Sequence, residues 1–172
     1  MNERPGLPPV LIPEDVLQAR IAELGAQLTC EYRGCHPLML GVLVGSFMFM
    51  ADLVRRIDLP VRVDFVRASS YGSTRTSSGQ VELLPGPWHD LAGRDVLIVE
   101  DVLDTGRTLG AVVNAARENA ARSVHTVVLL RKPGACVNVD YVGFDIESRF
   151  VVGYGLDDGG SWRQLPYIGY VA

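Results

Sequence analysis

The sequence is poor in cysteine and lacks an apolar run long enough to cross a membrane. Its three cysteines are an odd, low number, which argues against the disulfide framework of a small secreted domain. Cys30, Cys35 and His36 lack a zinc-ligand spacing, so we expect the cysteines to be buried and apolar. The apolar stretch 37–51 is shorter than a membrane span, and the N-terminus has no signal core. We therefore expect a soluble, cytoplasmic chain with no membrane partner.

Neither sign of charge dominates the chain. Lys and Arg together number 16 and Asp and Glu number 20, which gives a formal net charge of −4. A chain with this balance has no general attraction for nucleic acid, so we expect no such partner. Hydrophobic residues make up 48% and charged residues 21%, as in ordinary globular proteins. The length of 172 residues suits one domain with its own hydrophobic core.

The spacing of apolar residues predicts three helices. The first starts after Pro13, where acidic residues stand in the first turn. Ser46 is placed to cap the second helix, which should run to about Ile57. The third follows a glycine turn at Gly106. The expected apolar faces comprise Leu17, Ile21, Leu24 and Leu28 in the first helix, and Leu109, Val112, Val113 and Ala116 in the third.

Apolar runs between these helices predict strands, at 38–44, 81–84, 96–99, 124–130 and 150–152. Val61, Val63 and Phe65 alternate with polar residues, as in a half-buried strand. The polar stretch 69–79 has no periodicity and predicts a mobile loop. Because strands alternate with helices, we expect an α/β fold with a mostly parallel, twisted sheet flanked by helices.

The segment from Val96 to Leu109 carries the clearest chemical signal. Its strand delivers two adjacent carboxylates, Glu100 and Asp101, to the edge where open parallel sheets bind ligands. The loop 104–108 then leads into a helix, so its backbone N–H groups can cradle a phosphate. Carboxylates only accept hydrogen bonds, which suits ribose hydroxyls beside that phosphate. Walker and dinucleotide-binding motifs are absent, and the alternative is a solvated acidic turn with Asp104 as helix N-cap.

Further motifs follow one another along the chain, at 45–53, 63–65, 69–72, 150–157 and 165–169. With them, the central segment resembles the phosphoribosyl pyrophosphate motif of type I phosphoribosyltransferases. From about Ile12 to its end, the chain resembles the hypoxanthine-guanine phosphoribosyltransferase family. The resemblance implies a single domain over 1–172, with a parallel-sheet core at about 36–135. It also implies a small hood from about 1–35 and 136–172, and assembly into dimers or tetramers.

The resemblance implies a purine-salvage enzyme. Hypoxanthine or guanine would attack C1 of phosphoribosyl pyrophosphate as pyrophosphate leaves, and the product would be IMP or GMP. The transition state would have oxocarbenium character, and no protein nucleophile would be needed. Mg²⁺ is the implied cofactor, because it binds substrate phosphates and takes few protein carboxylates.

The resemblance also assigns roles to individual residues. Asp104 would be the carboxylate near purine N7 that acts as general base or acid. Phosphoribosyl pyrophosphate would be bound by Val44, Gly45, Glu100, Asp101, Asp104, Thr105, Gly106, Arg107, Thr108 and Arg163. The purine would be bound by Lys132, Phe150, Val151 and Asp157, the metal by Glu100, Asp101 and Asp157. Ser70 and Tyr71 would belong to a mobile lid that excludes water.

Two of these roles depend on specific chemistry. A cationic donor at Lys132 would contact the 6-oxo group of the purine and so favour oxo-purines over adenine. Phe150 would stack on the base. Taken alone, Lys132 is more typical of an exposed strand-end lysine, and Phe150 is more typical of core packing.

The sequence departs from the family pattern at two places. Val44 stands where many relatives have a basic residue, so a charged side-chain contact to pyrophosphate is lost. The backbone of Gly45 and Ser46 could still donate hydrogen bonds there. Asp158-Gly159-Gly160 replaces the usual aromatic-containing stretch after Asp157.

Other functions remain open from the sequence. The substrate could be xanthine or another base, because Lys132 and Phe150 do not rank the oxo-purines. A second alternative is a non-catalytic regulator that senses a ligand and binds nucleic acid; the net charge of −4 argues against it. A third is a purely structural domain, which would not need Asp104.

Overall fold

The computed structural model describes residues 6–70 and 81–171 of the chain. These residues form a six-stranded sheet and a separate three-stranded sheet. The helices are α1 (Glu14–Glu31), α2 (Phe47–Val54) and α3 (Arg107–Glu118), with a 3-10 turn at Trp88–Leu91. The strands are β1 (Val10–Ile12), β2 (Leu38–Leu43), β3 (Arg62–Ser70), β4 (Val81–Leu83), β5 (Asp95–Leu103), β6 (Ser123–Arg131), β7 (Tyr141–Asp145), β8 (Phe150–Val152) and β9 (Ile168–Val171). Within the described ranges, no helix combines the length and apolar character that crossing a bilayer requires.

The larger sheet is mostly parallel. Its strand order is β4-β3-β2-β5-β6-β7, and only the edge pair of β3 and β4 is antiparallel. α2 connects β2 to β3, and α3 connects β5 to β6, so these two parallel pairs are joined by helical crossovers. The parallel strands β6 and β7 are joined by the stretch 132–140, which contains no helix. The predicted α/β fold class is confirmed.

Two hydrophobic clusters cover the two faces of this sheet. Successive residues of β5 divide between them: Leu97 and Val99 lie in the cluster with α1 and α2, and Val96 and Ile98 in the cluster with α3. β5 is therefore buried on both faces, which explains why its sequence is a continuous apolar run. The predicted helix faces, from Leu17 to Leu28 in α1 and from Leu109 to Ala116 in α3, are buried in these clusters.

The smaller sheet, which we call the hood, joins the two ends of the described chain. β9 lies between β1 and β8, and both pairs are antiparallel. The hood is smaller than the resemblance implied. α1 contacts α2 and β7, and β7 extends the larger sheet beside β6. α1 and β7 therefore belong to the core. The apolar face of α1 is buried in a cluster that combines residues of β5 and β6 with residues of the hood strands.

The burial expected for β3 is wrong. Val63 and Phe65 are 43% and 37% exposed, whereas Val66, on the opposite face, lies in the cluster beneath α3. The alternation of the strand is present, but α1 and α2 do not cover this part of the sheet. Val63 and Phe65 therefore form an apolar surface next to the edge of the sheet.

The expected cap of the second helix also differs. Ser46 precedes α2, but its hydroxyl donates to the carbonyl of Val42 at 2.6 Å and caps no N–H group of the helix. The helix ends at Val54 instead of Ile57. A hydroxyl bonded back to the residue four positions earlier fixes the loop between β2 and α2 instead.

Two further expectations need correction. Ser69 and Ser70 end strand β3 and pair with Glu82 and Val81 of β4, so the predicted loop does not begin at residue 69. The rest of that loop, residues 71–79, lies outside the described ranges.

All three cysteines are free, but Cys30 and Cys136 are exposed and Cys35 is partly exposed, so they are not buried core residues.

At the amino ends of the strands, Asp95 of β5 binds Arg122 and Ser123 across to β6. Arg122 Nε donates to Asp95 Oδ1 at 2.9 Å, and the Ser123 hydroxyl donates to the same oxygen at 2.8 Å. The hydrogen bond from Arg122 is the main cause that lowers the pKa of Asp95 to about 2. A lowered pKa in the folded state stabilises the protein above the unfolded pKa, and this contribution is lost as pH falls toward 2.

Replacing Asp95 with Asn should therefore lower the melting temperature at pH 7 by roughly 2–4 °C, the effect of losing a partly exposed ion pair. The difference from wild type should shrink as pH falls from about 5 toward 2, because the wild-type carboxylate then takes up its proton. Melting curves at several pH values test this. An unchanged difference at pH 2.5 would show that the effect of the substitution is not electrostatic.

Candidate active site

A cavity of about 380 Å³ opens where β2, β5 and β6 reach the carboxyl edge of the large sheet, with the hood on its far side. Its volume is within the range of small-molecule sites. The sequence-predicted residues that line it are Val44, Gly45, Glu100, Asp101, Asp104, Thr108, Lys132, Phe150, Val151, Asp157 and Arg163. Thr105, Gly106 and Arg107 line a smaller cavity of about 70 Å³, which shares Glu100, Asp104 and Thr108 with the first. The topology thus gathers residues from four separate segments of the chain.

Ser70 and Tyr71 are the expected lid residues. Ser70 ends β3, and Tyr71 lies outside the described ranges.

The two adjacent acids lie inside strand β5, not beyond its end. The strand continues through them to Leu103, because Val102 and Leu103 pair with Leu130 and Arg131 of β6. Sequence reasoning ended the strand at Val99, since the charged pair interrupts the apolar run. In the structure both acids are buried, with only 7% of Glu100 and 8% of Asp101 exposed.

Burial makes this acid pair electrostatically unusual. The loss of hydration raises the pKa of Glu100 well above its usual range, and the neighbouring Asp101 carboxylate raises it further. Burial also raises the pKa of Asp101, although a hydrogen bond with Glu100 and the N–H of Val102 oppose the shift. Among the described residues, Glu100 Oε2 has no hydrogen-bond partner. The pair is therefore disposed to bind a hydroxyl donor or a cation.

The loop between β2 and α2 packs directly against this pair. A Cβ atom added to Gly45 would lie only 1.6 Å from Asp101 Oδ2, so no side chain fits at this position. A Cβ atom on Gly155 of the hood would in turn lie 2.1 Å from the carbonyl oxygen of Gly45. The hood, the loop and the acid pair are thus in van der Waals contact, and the two glycines permit it.

The loop 104–108 forms the start of α3. Gly106 has φ of +83°, a left-handed conformation that glycine adopts without strain, and helix α3 begins at the next residue. The start of the helix therefore borders the smaller cavity, where its backbone N–H groups can receive an anion. The N–H of Arg107 donates to Thr105 Oγ1 at 3.4 Å. Val137 packs behind this turn, because a Cβ on Gly106 would lie 2.8 Å from its methyl carbon.

Asp104 and Lys132 form a pair at the mouth of the cavity. Lys132 Nζ lies 3.3 Å from Asp104 Oδ2; the lysine side chain is 12% exposed and the aspartate 66%. Lys132 follows β6, and its backbone N–H donates to the carbonyl of Leu103 at the end of β5. The interpretation of Lys132 as an exposed strand-end lysine is thus wrong. It is also the only lysine in the sequence, a signal that the sequence reasoning missed.

The hood closes the cavity from the other side. Phe150 is 54% exposed, so it is not a core residue, and its ring borders the cavity beside Val151. Asp157 accepts from Arg163, with 2.6 Å between Oδ1 and the guanidinium, and its Oδ2 accepts from the N–H of Gly160 at 2.7 Å. Sequence reasoning also missed apolar lining residues, namely Val42, Leu43, Ala68, Val102 and Leu156. They carry no reactive group, so only the fold identifies them.

No ready-made metal site is present among the described residues. Nowhere in these ranges are three or more His, Cys, Asp or Glu side chains grouped to hold an ion. Glu100, Asp101 and Asp157 border the same cavity but do not form such a cluster. Mg²⁺ usually binds one or two carboxylates and completes its shell with water and substrate phosphates. The buried, unpartnered oxygen of Glu100 fits an ion held in that way.

The family model of the phosphoribosyl transferase domain matches residues 14–159. The chain belongs to the phosphoribosyltransferase family. The resemblance inferred from the sequence motifs is therefore confirmed.

Similar proteins support this assignment over nearly the whole chain. A hypoxanthine-guanine phosphoribosyltransferase of Bacillus subtilis is 46% identical over 163 residues, which cover 93% of this phosphoribosyltransferase and 91% of the relative. A bifunctional protein TilS/HprT of Listeria innocua is 49% identical over 163 residues, but the chain spans only 25% of its length. A solved hypoxanthine phosphoribosyltransferase from Staphylococcus aureus has a TM-score of 0.88 and 41% identity, and the match covers 95% of this chain and 90% of that one.

The contact between Gly45 and Asp101 predicts a severe effect of a single methyl group. Gly45→Ala should destabilise the protein by about 1–3 kcal/mol, the typical cost of overpacking, because the loop and the carboxylate must move apart. Gly110→Ala in α3 is a matched control, since its Cβ would meet only Val137 at an ordinary 3.5 Å. Denaturant unfolding measures both. Equal stability of Gly45→Ala and wild type would contradict the close contact.

Proposed function

We propose that this phosphoribosyltransferase acts in purine salvage, transferring the 5-phosphoribosyl group of phosphoribosyl pyrophosphate to hypoxanthine or guanine. IMP or GMP and pyrophosphate would be the products. The observation that carries the proposal is the shared cavity, where the helical phosphate loop, the buried acid pair and the Asp104–Lys132 pair lie together. Relatives named for this activity, aligned over nearly the whole chain, also support it.

Each part of phosphoribosyl pyrophosphate has a matching surface. We place the 5-phosphate at the start of α3, where Thr105, Thr108 and the backbone N–H groups of 104–108 offer donors. The ribose hydroxyls would donate to Glu100 and Asp101, whose buried carboxylates border the cavity. Pyrophosphate would lie between the loop at Gly45 and Arg163, because the acid pair repels phosphate from its own position.

The Asp104–Lys132 pair suits the edge of an oxo-purine. N7 and O6 are neighbouring atoms on that edge, and the two side chains stand 3.3 Å apart at the cavity mouth. Lys132 would donate to O6, which adenine replaces with an amino group that does not accept. Asp104 would accept the hydrogen of N7. Phe150, at the opposite side of the cavity, would stack on the ring, and the backbone of Val151 would border its edge.

The chemistry then needs one bond to form and one to break. N9 of the base attacks C1, and the C1–O bond to pyrophosphate breaks with its electron pair on the departing oxygen. The proton that the base loses leaves from N7 to the Asp104 carboxylate, which supplies general-base catalysis. The protein positions both substrates, so most of its contribution is proximity and orientation.

We propose Mg²⁺ as the cofactor, held by Glu100 or Asp101 and by Asp157 together with substrate oxygens. When bound, the ion would neutralise charge on the leaving pyrophosphate. The protein residues contribute orientation: Arg163 holds Asp157, and Gly160 holds its second oxygen. We also propose that the chain works as a single domain in the cytoplasm, in keeping with its three free cysteines.

We further propose a homo-oligomer. Val63 and Phe65 are 43% and 37% exposed and lie on the same face of β3. An exposed apolar surface of this kind is typical of an interface. Light scattering should give a mass that is a multiple of 18.7 kDa, and Phe65→Glu should reduce it, whereas Val16→Glu on α1 should not. A monomeric wild-type protein would contradict this proposal.

The activity itself is tested with purified protein, Mg²⁺ and phosphoribosyl pyrophosphate, followed spectrophotometrically. Hypoxanthine, guanine, xanthine and adenine are offered separately. Asp104→Asn should lower kcat at least about a hundredfold with the oxo-purine, the usual scale of general-base catalysis. Lys132→Met should raise KM for the oxo-purine more than it changes any turnover of adenine. The substitution removes the ion pair with Asp104 for both bases but the contact to O6 only for the oxo-purine.

Turnover of xanthine alone would replace the substrate assignment and leave the enzyme class intact. No turnover of any base, with phosphoribosyl pyrophosphate bound, would contradict the proposal and favour a ligand-sensing protein on the same fold.

A further inference from the structure

The hood contains a strained turn that the proposed chemistry does not use. Gly153, Tyr154 and Gly155 have φ of +92°, +51° and +100°, three left-handed residues in succession. Glycine adopts this conformation readily, but it is costly for a residue with a bulky side chain. A glycine at position 154 would suit the backbone better. The tyrosine side chain must therefore contribute something that offsets the strain.

The Tyr154 side chain is bound to helix α2. Its hydroxyl donates to Asp52 Oδ2, 102 positions away in sequence. The same carboxylate accepts from Gln18 Nε2 of α1 at 2.7 Å and from Arg55. Burial alone would raise the pKa of Asp52, but these three hydrogen bonds outweigh it and hold the pKa below its usual value. Asp52 is thus an ionised acceptor with partners from both helices and the hood.

The position of Asp52 links this contact to the active site. α2 begins at Phe47, directly after the loop at Gly45 that we assign to pyrophosphate. On the hood side, Gly155 follows Tyr154 and its Cα faces the carbonyl of Gly45, where no Cβ atom fits. The Asp52–Tyr154 hydrogen bond and the Gly155–Gly45 contact therefore connect the same two elements at two points. Neither Asp52 nor Tyr154 lines the cavity.

The two sides of the turn are held differently. On its purine side, β8 is paired to β9 along Phe150, Val151 and Val152, so the ladder fixes it without help from Tyr154. On its pyrophosphate side, isolated bridges take the place of the ladder: Gly153 pairs with Leu156, and Asp158 pairs with Ser161. The Gly155 N–H donates to the Arg163 carbonyl at 2.9 Å, and the Arg163 side chain donates to Asp157. Movement of the turn would thus shift Asp157 and Arg163 more than Phe150.

We propose that Asp52 and Tyr154 are positioning residues that set the distance between the hood turn 153–157 and the loop at Gly45. They would thereby determine the affinity for the pyrophosphate end of phosphoribosyl pyrophosphate without touching it. This inference rests on the phosphoribosyl transfer proposed above. It explains why a strained tyrosine is present, because its hydroxyl connects the hood turn to the carboxylate on α2.

The test compares Tyr154→Phe with Tyr167→Phe. Tyr167 is the matched control, because its hydroxyl also makes one hood hydrogen bond, to the Pro8 carbonyl at 3.0 Å, away from the cavity. Tyr154→Phe should raise KM for phosphoribosyl pyrophosphate about tenfold, the scale of one lost hydrogen bond to a charged group. KM for hypoxanthine and kcat should stay within about twofold. Tyr167→Phe should change none of the three constants.

A double-mutant cycle tests whether the two residues act through one bond. Asp52→Ala should raise the same KM, and the double variant Asp52→Ala/Tyr154→Phe should be no worse than the more severe single one. Hydrogen exchange should accelerate in peptides covering 153–157 and not in β5, a readout that requires no activity. If the wild-type protein turns out inactive, the transfer proposal fails, but the exchange measurement still tests the contact.

The proposal is overturned by several results. KM for phosphoribosyl pyrophosphate could be unchanged in Tyr154→Phe, or both substrates could lose affinity equally, as expected of a general loss of structure. Additive effects in the cycle would show that Asp52 and Tyr154 act independently. Unchanged exchange at 153–157 would show that the hydroxyl does not hold the turn.

Discussion

Two adjacent carboxylates are buried on strand β5, at the carboxyl edge of the parallel sheet, and one oxygen has no partner among the described residues. Burial without a counter-charge is costly, so such a pair persists only where a ligand or the surrounding structure requires it. Here the loop after β2 and the hood both have glycine at the close contacts around the pair. The loop after β2 carries glycine at position 45, because any side chain there would collide with Asp101. The hood carries glycine at position 155, because a side chain there would collide with the carbonyl oxygen of Gly45.

The order of elements in the chain explains how one edge of the sheet collects the whole site. In a parallel sheet, all carboxyl ends lie at one edge, so the loop at Gly45, the acids of β5 and Lys132 after β6 meet there. The start of α3 adds backbone N–H groups next to the acids, where we propose that the phosphate binds. The hood supplies Phe150 and Asp157 from the opposite side. A site with separate surfaces for phosphate, ribose and base suits a nucleotide better than any single-group ligand.

Local sequence patterns predicted much of this structure, but they did not reveal the features that depend on long-range contacts. The faces of α1 and α3 follow from helical periodicity, and the loop 104–108 follows from its motif. The pattern did not reveal that β5 continues through Glu100 and Asp101, because the hydrogen-bonded partners that extend it belong to β6. The alternation of β3 did not reveal that Phe65 is 37% exposed, and the contact of Tyr154 with Asp52 joins residues far apart in the sequence. No local spacing encodes such contacts.

The central claim is that this cavity holds a ribose 5-phosphate with its base between the hood and Lys132. A crystal structure with GMP bound tests it most directly. The account predicts the phosphate at the start of α3, the ribose hydroxyls against Glu100 and Asp101, and the base on Phe150 with O6 toward Lys132. A nucleotide bound elsewhere, or one with its base toward the loop at Gly45 and its ribose away from the acid pair, would contradict the account.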